Sequence, residues 1–301
     1  MAEAKSKVLD PKILNKITRL ELKARQIVEG FVAGMHKSPY HGFSVEFAEH
    51  REYSAGDEIK HLDWKVFGRS DRLFIKEYEL ETNLRSHILV DCSESMEYRS
   101  GETSKLELAS TIAASMAHMI LRQQDAVGLV TFDKEVKTFI PSHSGKGQMH
   151  AVLGTLGGVS ARNKTDLSVV FNALAERFSR KGLVIIISDL FDDPEKLLRA
   201  LQHFRHRRQD VIIFHVMDEY EVNFPFQRMT MFEGLEEYPR ILVDPRALRQ
   251  AYLEEVEKFV SKIRRGCVQN QIDYVQVTTD KPLEVELTRY LASRLALGRS
   301  R

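Results

Sequence analysis

Five side chains in this sequence stand out as able to do chemistry together. Asp91, Ser93 and Ser95 lie in the run Asp91-Cys92-Ser93-Glu94-Ser95, Thr165 in Lys164-Thr165-Asp166-Leu167, and Asp189 in Ile187-Ser188-Asp189. Two carboxylates and three hydroxyls, brought to one edge, suit a hard divalent cation. Mg²⁺ takes about six oxygens at ~2.0–2.1 Å, keeps several of its waters and typically uses one or two carboxylates. Hydroxyls as direct ligands, with carboxylates holding waters, leave the ion under-neutralised. It then attracts a carboxylate from outside.

Such side chains need elements that carry them to one place. From Ser86 onward, short apolar strands alternate with helices. Strands are expected over 87–90, 126–132, 183–188, 211–216, 240–243 and 274–277, with 136–140 pairing back on 126–132 as a hairpin. Helices are expected over 106–121, 148–156, 166–178, 194–204, 247–263 and 283–292. This alternation predicts an α/β fold, a mostly parallel, doubly wound sheet covered on both faces. Ligands of such sheets bind at the carboxyl ends of the strands. Asp91 ends the first of these strands, Asp189 follows another, and Thr165 opens a helix between them.

The first quarter reads differently. Ile13, Ile17, Leu20, Ala24 and Ile27 recur at helical spacing over 12–28, with Gly30 near the end. Phe43, Val45 and Phe47 alternate with polar residues, as does 73–78, and Ser54-Ala55-Gly56-Asp57 is turn chemistry. The expected division is a helix plus a small strand-containing module over 1–84, then the α/β domain over 85–301.

Asp91-x-Ser93-x-Ser95, the later Thr165, and Asp189 after an apolar strand resemble the von Willebrand factor A-type metal-ion-dependent adhesion site. The resemblance covers roughly residue 85 to the C-terminus. It implies that Ser93, Ser95 and Thr165 contact Mg²⁺ (or Mn²⁺), with Asp91 and Asp189 acting largely through water. In the first quarter, Arg51-Glu52-Tyr53-Ser54-Ala55-Gly56-Asp57, Asp63-Trp64 and Lys76-Glu77-Tyr78-Glu79 resemble the bacterial domain-of-unknown-function family numbered fifty-eight. Members fuse such a module to an A-type domain, and many carry two N-terminal membrane helices that are not seen here. The family implies association with MoxR-type AAA+ ATPases in the maturation or assembly of client proteins. The expected partner is therefore such an ATPase or its client, docked partly through the loops 96–104 and 158–164.

Each signal also has a plainer reading. Asp91 and Asp189 can be strand-end caps, and Thr165 can be the N-cap of its helix. Asp166 and Ser188 read as neighbours of the site. Cys92 has no His beside it to activate it, so it reads as a small buried residue. Asp57 reads as a turn residue, Asp63 as a cap or ion-pair partner, and Trp64 as a core anchor. The alternative function is a metal-dependent, phosphatase-like hydrolase using Asp91. That chemistry usually needs a second Asp two residues on, where this chain has Ser93. No Gly-x-Gly-x-x-Gly or P-loop occurs, and the eleven histidines lack zinc-peptidase spacing. No catalytic constellation emerges, so the reading is a non-enzyme.

Composition narrows the field further. The 301 residues carry 44 Lys and Arg against 43 Asp and Glu, a formal charge of +1. That balance gives no support to nucleic-acid or membrane-surface binding. The basic run at His203, Arg205, His206, Arg207 and Arg208 lacks interleaved aromatics and reads as a solvated helix end. Two cysteines cannot build a disulfide framework. No stretch approaches the roughly 18 apolar residues of a membrane span. The expectation is a soluble, cytoplasmic protein.

Overall fold

The structure is a computed structural model. It describes residues 11–37, 50–52, 68, 74–76, 84–145, 147–164, 166–178, 180–233 and 240–298. In chain order the elements are α1 (Pro11–Lys37), β1 (His50–Glu52), β2 (Phe74–Lys76), β3 (Arg85–Asp91), α2 (Lys105–Arg122), β4 (Ala126–Phe132) and β5 (Val136–His143). There follow α3 (Gln148–Gly158), α4 (Leu167–Arg177), β6 (Gly182–Ser188), α5 (Pro194–His206), β7 (Gln209–Met217) and α6 (Glu219–Asn223). The chain closes with β8 (Thr230–Phe232), β9 (Ile241–Val243), α7 (Pro245–Gln269), β10 (Asp273–Thr278) and α8 (Leu283–Gly298).

The main sheet has six strands in the order β10-β7-β6-β3-β4-β5. All its pairings are parallel except that of β5, which folds back antiparallel on β4. This is the expected α/β fold with a mostly parallel, doubly wound sheet. The central strands are apolar on both faces, as burial under two helical layers requires. Ile185 and Ile187 join one core with α1, α2, α3 and α8. Val184 and Ile186 point the other way, into a core with α4, α5 and α7. Burying each such side chain contributes roughly 1.5–3 kcal/mol.

Local chemistry fixes where the helices begin. Ser104 and Glu107 form a reciprocal capping box at the start of α2. Asp193 and Asp244 cap α5 and α7, each followed by Pro at the first helical position. At α4 the cap is Asp166, whose side chain accepts the Val169 N–H, and not Thr165 as the plainer reading had it.

Two compact units emerge, one of residues 1–33 with 84–301 and one of 34–83. The boundary thus differs from the expected 1–84 grouping. Ile17, Leu20, Ala24 and Ile27 of α1 belong to the core of the α/β unit. Gly157 of α3 makes room for them, because a Cβ there would lie 2.6 Å from Ile17 Cγ1. In the smaller unit, β1 pairs antiparallel with β2, with Arg51 opposite Ile75. The expected strand at Phe43, Val45 and Phe47, the turn at 54–57, Asp63 and Trp64 lie outside the described residues.

Candidate metal centre

The strand order reverses between β3 and β6. From β3 the chain crosses to β4 on one side, and later returns to β6 on the other. The crossovers diverge there and leave a crevice at the carboxyl ends of the two strands. Asp91 is the last residue of β3, and Asp189 directly follows Ser188, the last of β6. The parallel register, Val90 opposite Ile187, holds these ends level.

Asp91 is fully buried. Its Oδ1 accepts the Ser93 N–H at 2.9 Å, and its Oδ2 accepts the Ser188 hydroxyl at 2.6 Å. Ser188 is therefore a direct support of Asp91. Ser93 begins a short 3₁₀ turn, Glu94–Glu97, but its hydroxyl makes no capping bond. It lies instead 3.1 Å from the Ser95 hydroxyl. Two ligands at right angles on an octahedral ion with ~2.1 Å bonds would be about 3 Å apart. The serine pair fits that spacing.

Thr165 lies outside the described residues, but the loop before it is tied to the first segment by backbone bonds. Arg162 N–H donates to the Cys92 carbonyl at 3.0 Å, and Glu94 N–H donates to the Asn163 carbonyl at 2.9 Å. The Asn163 side chain donates to buried Asp133 at 2.7 Å. These bonds bring the 162–164 segment against the Asp91–Ser95 turn. Met96, at the head of the expected docking loop 96–104, is wholly buried and faces the core.

Asp189 has a partner that the sequence reading missed. Lys105, at the first turn of α2, is fully buried. Its Nζ donates to Asp189 Oδ2 at 2.8 Å and to Glu221 Oε1 of α6 at 2.7 Å. Its ammonium also sits 5.0 Å from the centre of the Phe191 ring. Burial alone would lower its pKa, but Asp189 and then Glu221 outweigh burial and hold it above the ordinary lysine value. Nothing in the local sequence marks this lysine, since a Lys in a first helical turn ordinarily reads as solvated. Asp218 was missed too. Its carboxylate accepts from Ser100 N–H and Thr279 Oγ1, joining the loops after β3, β7 and β10.

Burial, and then the negative charge of Asp189, push the Asp91 carboxyl up to about 7, against the pull of Ser188 and Ser93. Among the described residues, the Lys105 ammonium pairs with Asp189 and Glu221. No cluster of three or more His, Cys, Asp or Glu able to hold a metal occurs among the described residues. A metal here would depend on the hydroxyls. Cys92 is held away from this chemistry. Its thiol donates to the Phe132 carbonyl at 2.9 Å, and burial followed by Asp91 pushes it up to about 12.

The backbone beside Asp189 is strained. Leu190 adopts φ 57°, which a leucine rarely does. Its N–H donates to the Ser188 hydroxyl at 2.9 Å, and its side chain is buried in the second core. Strain of this kind concentrates at sites where geometry matters for function.

Fold and crevice together define an α/β protein with a hydroxyl-and-carboxylate centre at its topological switch point. The chain belongs to the family described as "Protein of unknown function DUF58", which matches residues 49–260. It is 26% identical over 293 residues to "Uncharacterized protein Rv1480" of Mycobacterium tuberculosis, covering 95% of this chain and 90% of that one. Among solved structures it is similar to BatB from Bacteroides thetaiotaomicron, at 16% identity and a TM-score of 0.46, covering 70% of this chain and 98% of that one. It is also similar to the SpRpn10 VWA domain, at 12% identity and a TM-score of 0.39, covering 70% and 94%. Among the described residues, no helix is long and apolar enough to cross a membrane.

Proposed function

We propose that this protein is a Mg²⁺-dependent protein-binding module, and that its partner is a MoxR-type AAA+ ATPase or a client of one. The observation that carries the reading is the convergence of Asp91, Ser93, Ser95 and Asp189 at the switch point, with the 162–164 segment tied against them. Ser93, Ser95 and Thr165 would hold the ion directly, with Asp91 and Asp189 acting through water. Mn²⁺ would substitute. The ion would supply a Lewis-acidic position for a carboxylate of the partner. Asp189 would take a water at Oδ1, which accepts only the longer Phe191 N–H bond at 3.3 Å, because Oδ2 is engaged by Lys105. The ATPase itself is inferred from the family resemblance, whereas a cytoplasmic location is inferred from the composition of the sequence. Two free, buried cysteines are consistent with a reducing compartment.

Use of Asp91 as the nucleophile of a hydrolase has less support. Both of its oxygens are engaged, and the side chain has no exposed surface.

The test is association with a purified MoxR-type ATPase, in Mg²⁺ and in EDTA. It uses wild type and the double variant Ser93→Ala with Ser95→Ala. The expected result is binding in Mg²⁺ that both chelator and double variant reduce at least about tenfold. Binding indifferent to both would sink the metal bridge.

A further inference from the structure

A single metal-to-carboxylate contact cannot hold two proteins together, since a stable interface buries about 1,200–2,000 Å². The remaining surface should be apolar, exposed and continuous with the crevice. Twelve large hydrophobic residues are exposed among the described residues, and five of them fall within 229–248: Met229, Met231, Ile241, Leu242 and Leu248. Scattered exposed leucines mean little, but such a concentration marks an interaction site.

The hairpin β8–β9 explains how they come to be exposed. Its inner face carries Phe232, stacked on Phe224 at 5.8 Å and edge-on to Phe226 at 5.1 Å. Phe224 in turn lies 4.4 Å from Tyr252 of α7. On the outer face, Met231 pairs directly with Leu242. The solvent face of an antiparallel pair is ordinarily polar. Here it holds two apolar side chains side by side, 55% and 57% exposed.

The hairpin is rooted in the same α6 that serves the crevice. Glu221 of α6 binds Lys105, Lys105 binds Asp189, and the Tyr252 hydroxyl donates to the Glu221 carbonyl at 3.1 Å. The surroundings carry both charges, with Glu233 paired to Arg240 and with Glu254 and Glu257 on α7, but three arginines there are available. Arg228, Arg246 and Arg249 are exposed, and among the described residues none has a carboxylate partner. Arg246 and Arg249 donate only to backbone carbonyls, of Gln227 and of Phe224 and Asn223. Arg246 and Arg249 line one end of a groove of about 430 Å³ along α7, whose other end carries Glu254 and Glu257.

We propose that the outer face of β8–β9, with Leu248 and this arginine rim, is the docking surface that accompanies the metal crevice. Its occupant is a segment of a partner protein in which acidic side chains are interleaved with large apolar ones. The apolar residues cover Met231 and Leu242, carboxylates pair with the arginines, and one carboxylate reaches the metal. Methionines at 229 and 231 suit this role, because their flexible thioethers adapt to varied side chains. The proposal rests on the metal-dependent binding reading and adds the chemistry of the partner.

The test selects random 16-residue peptides, displayed on phage, on the full chain in Mg²⁺. Binders are then measured as synthetic peptides against wild type, Met231→Thr with Leu242→Thr, and Ser93→Ala with Ser95→Ala. Threonine keeps strand propensity and cross-strand pairing, so the hairpin is retained. The expected binders mix Asp or Glu with Leu, Met or aromatics, and the hairpin variant weakens them at least about tenfold. Its Mn²⁺ affinity, read by electron paramagnetic resonance, should equal that of wild type. Basic or purely polar binders, no binders at all, or undiminished affinity for the hairpin variant would overturn the docking surface.

Loss of binding in the hairpin variant alone, with EDTA and the serine variant harmless, would keep the surface and remove the metal reading. The opposite pattern would keep the metal and remove the surface. The chain's own Leu235-Glu236-Glu237-Tyr238 has the proposed chemistry. A wild-type dimer in sedimentation, abolished by the hairpin variant, would therefore overturn a foreign partner in favour of a second copy.

Discussion

At the scale of single residues, Lys105 organises more of the crevice than any proposed ligand does. An ammonium with no exposed surface is tolerable only because Asp189 and Glu221 both face it. Removing it strands the buried Asp189 carboxylate and the half-buried Glu221. Lys105→Met should therefore cost about 3–5 kcal/mol of stability, measured by urea unfolding. The same variant releases Asp189 Oδ2, so added Mg²⁺ should raise its Tm more than it raises that of wild type. An equal or smaller rise would show that the lysine does not hold Asp189 back from the ion. Asp91, Ser93, Ser95 and Asp189 were legible in the sequence because each sits just where an apolar strand stops. Lys105 was not, because its partners arrive from residues 84 and 116 positions away. Asp166 and Ser188 were read only as neighbours, and their bonds show one to cap α4 and the other to support Asp91.

At the scale of elements, the sequence was legible wherever a segment was long enough to show a period. The six main-sheet strands and the larger helices fall where apolar runs and caps placed them. The short pieces α6 and β8 were missed, since five and three residues carry no readable period. The partner of α1 was also illegible. A helical stripe announces a buried face but not what covers it. Pairing details were hidden as well. The β4–β5 register shifts between Val127 and Leu129, at Gly128. A Cβ at Gly128 would meet the Ile140 carbonyl oxygen at 2.6 Å and the Ser142 nitrogen at 2.9 Å. Both are backbone atoms, so neither can swing aside. The irregularity requires glycine there. Gly128→Ala should destabilise by about 1–3 kcal/mol, read as a lowered urea midpoint with an unchanged slope. An unchanged midpoint would mean that the hairpin can move without loss.

At the scale of the whole molecule, the two ends of β3 do different work. Its carboxyl end holds the strained, charged crevice. Towards its amino end, His87 stacks on Phe178 with ring centroids 4.1 Å apart. Burial, then the charges of Arg85 and Arg177, lower His87 to about 4. His215, buried between Tyr274 and the Asp189 carbonyl, is lowered to about 4 chiefly by burial. Below the ordinary histidine value near 6.5, the unfolded chain takes up protons that these native histidines refuse. Bound protons are then more numerous in the unfolded state, and stability rises with pH across that window. Read downward, the histidine contribution is lost progressively as pH falls from about 6.5 to about 4, and is constant below. Asp91, raised to about 7, acts in the opposite sense, so the net curve mixes terms, whereas a variant compared with wild type isolates one. His87→Phe keeps the stacked ring, removes the titration and removes a buried Nδ1 that has no partner. The variant's Tm should fall less than that of wild type between pH 6.5 and 4, with the largest advantage near the acid end. Its Mg²⁺-dependent binding at neutral pH should be unchanged, because the substitution lies away from the crevice. Parallel Tm curves for the two proteins would show that His87 is not protonation-resistant in the native state.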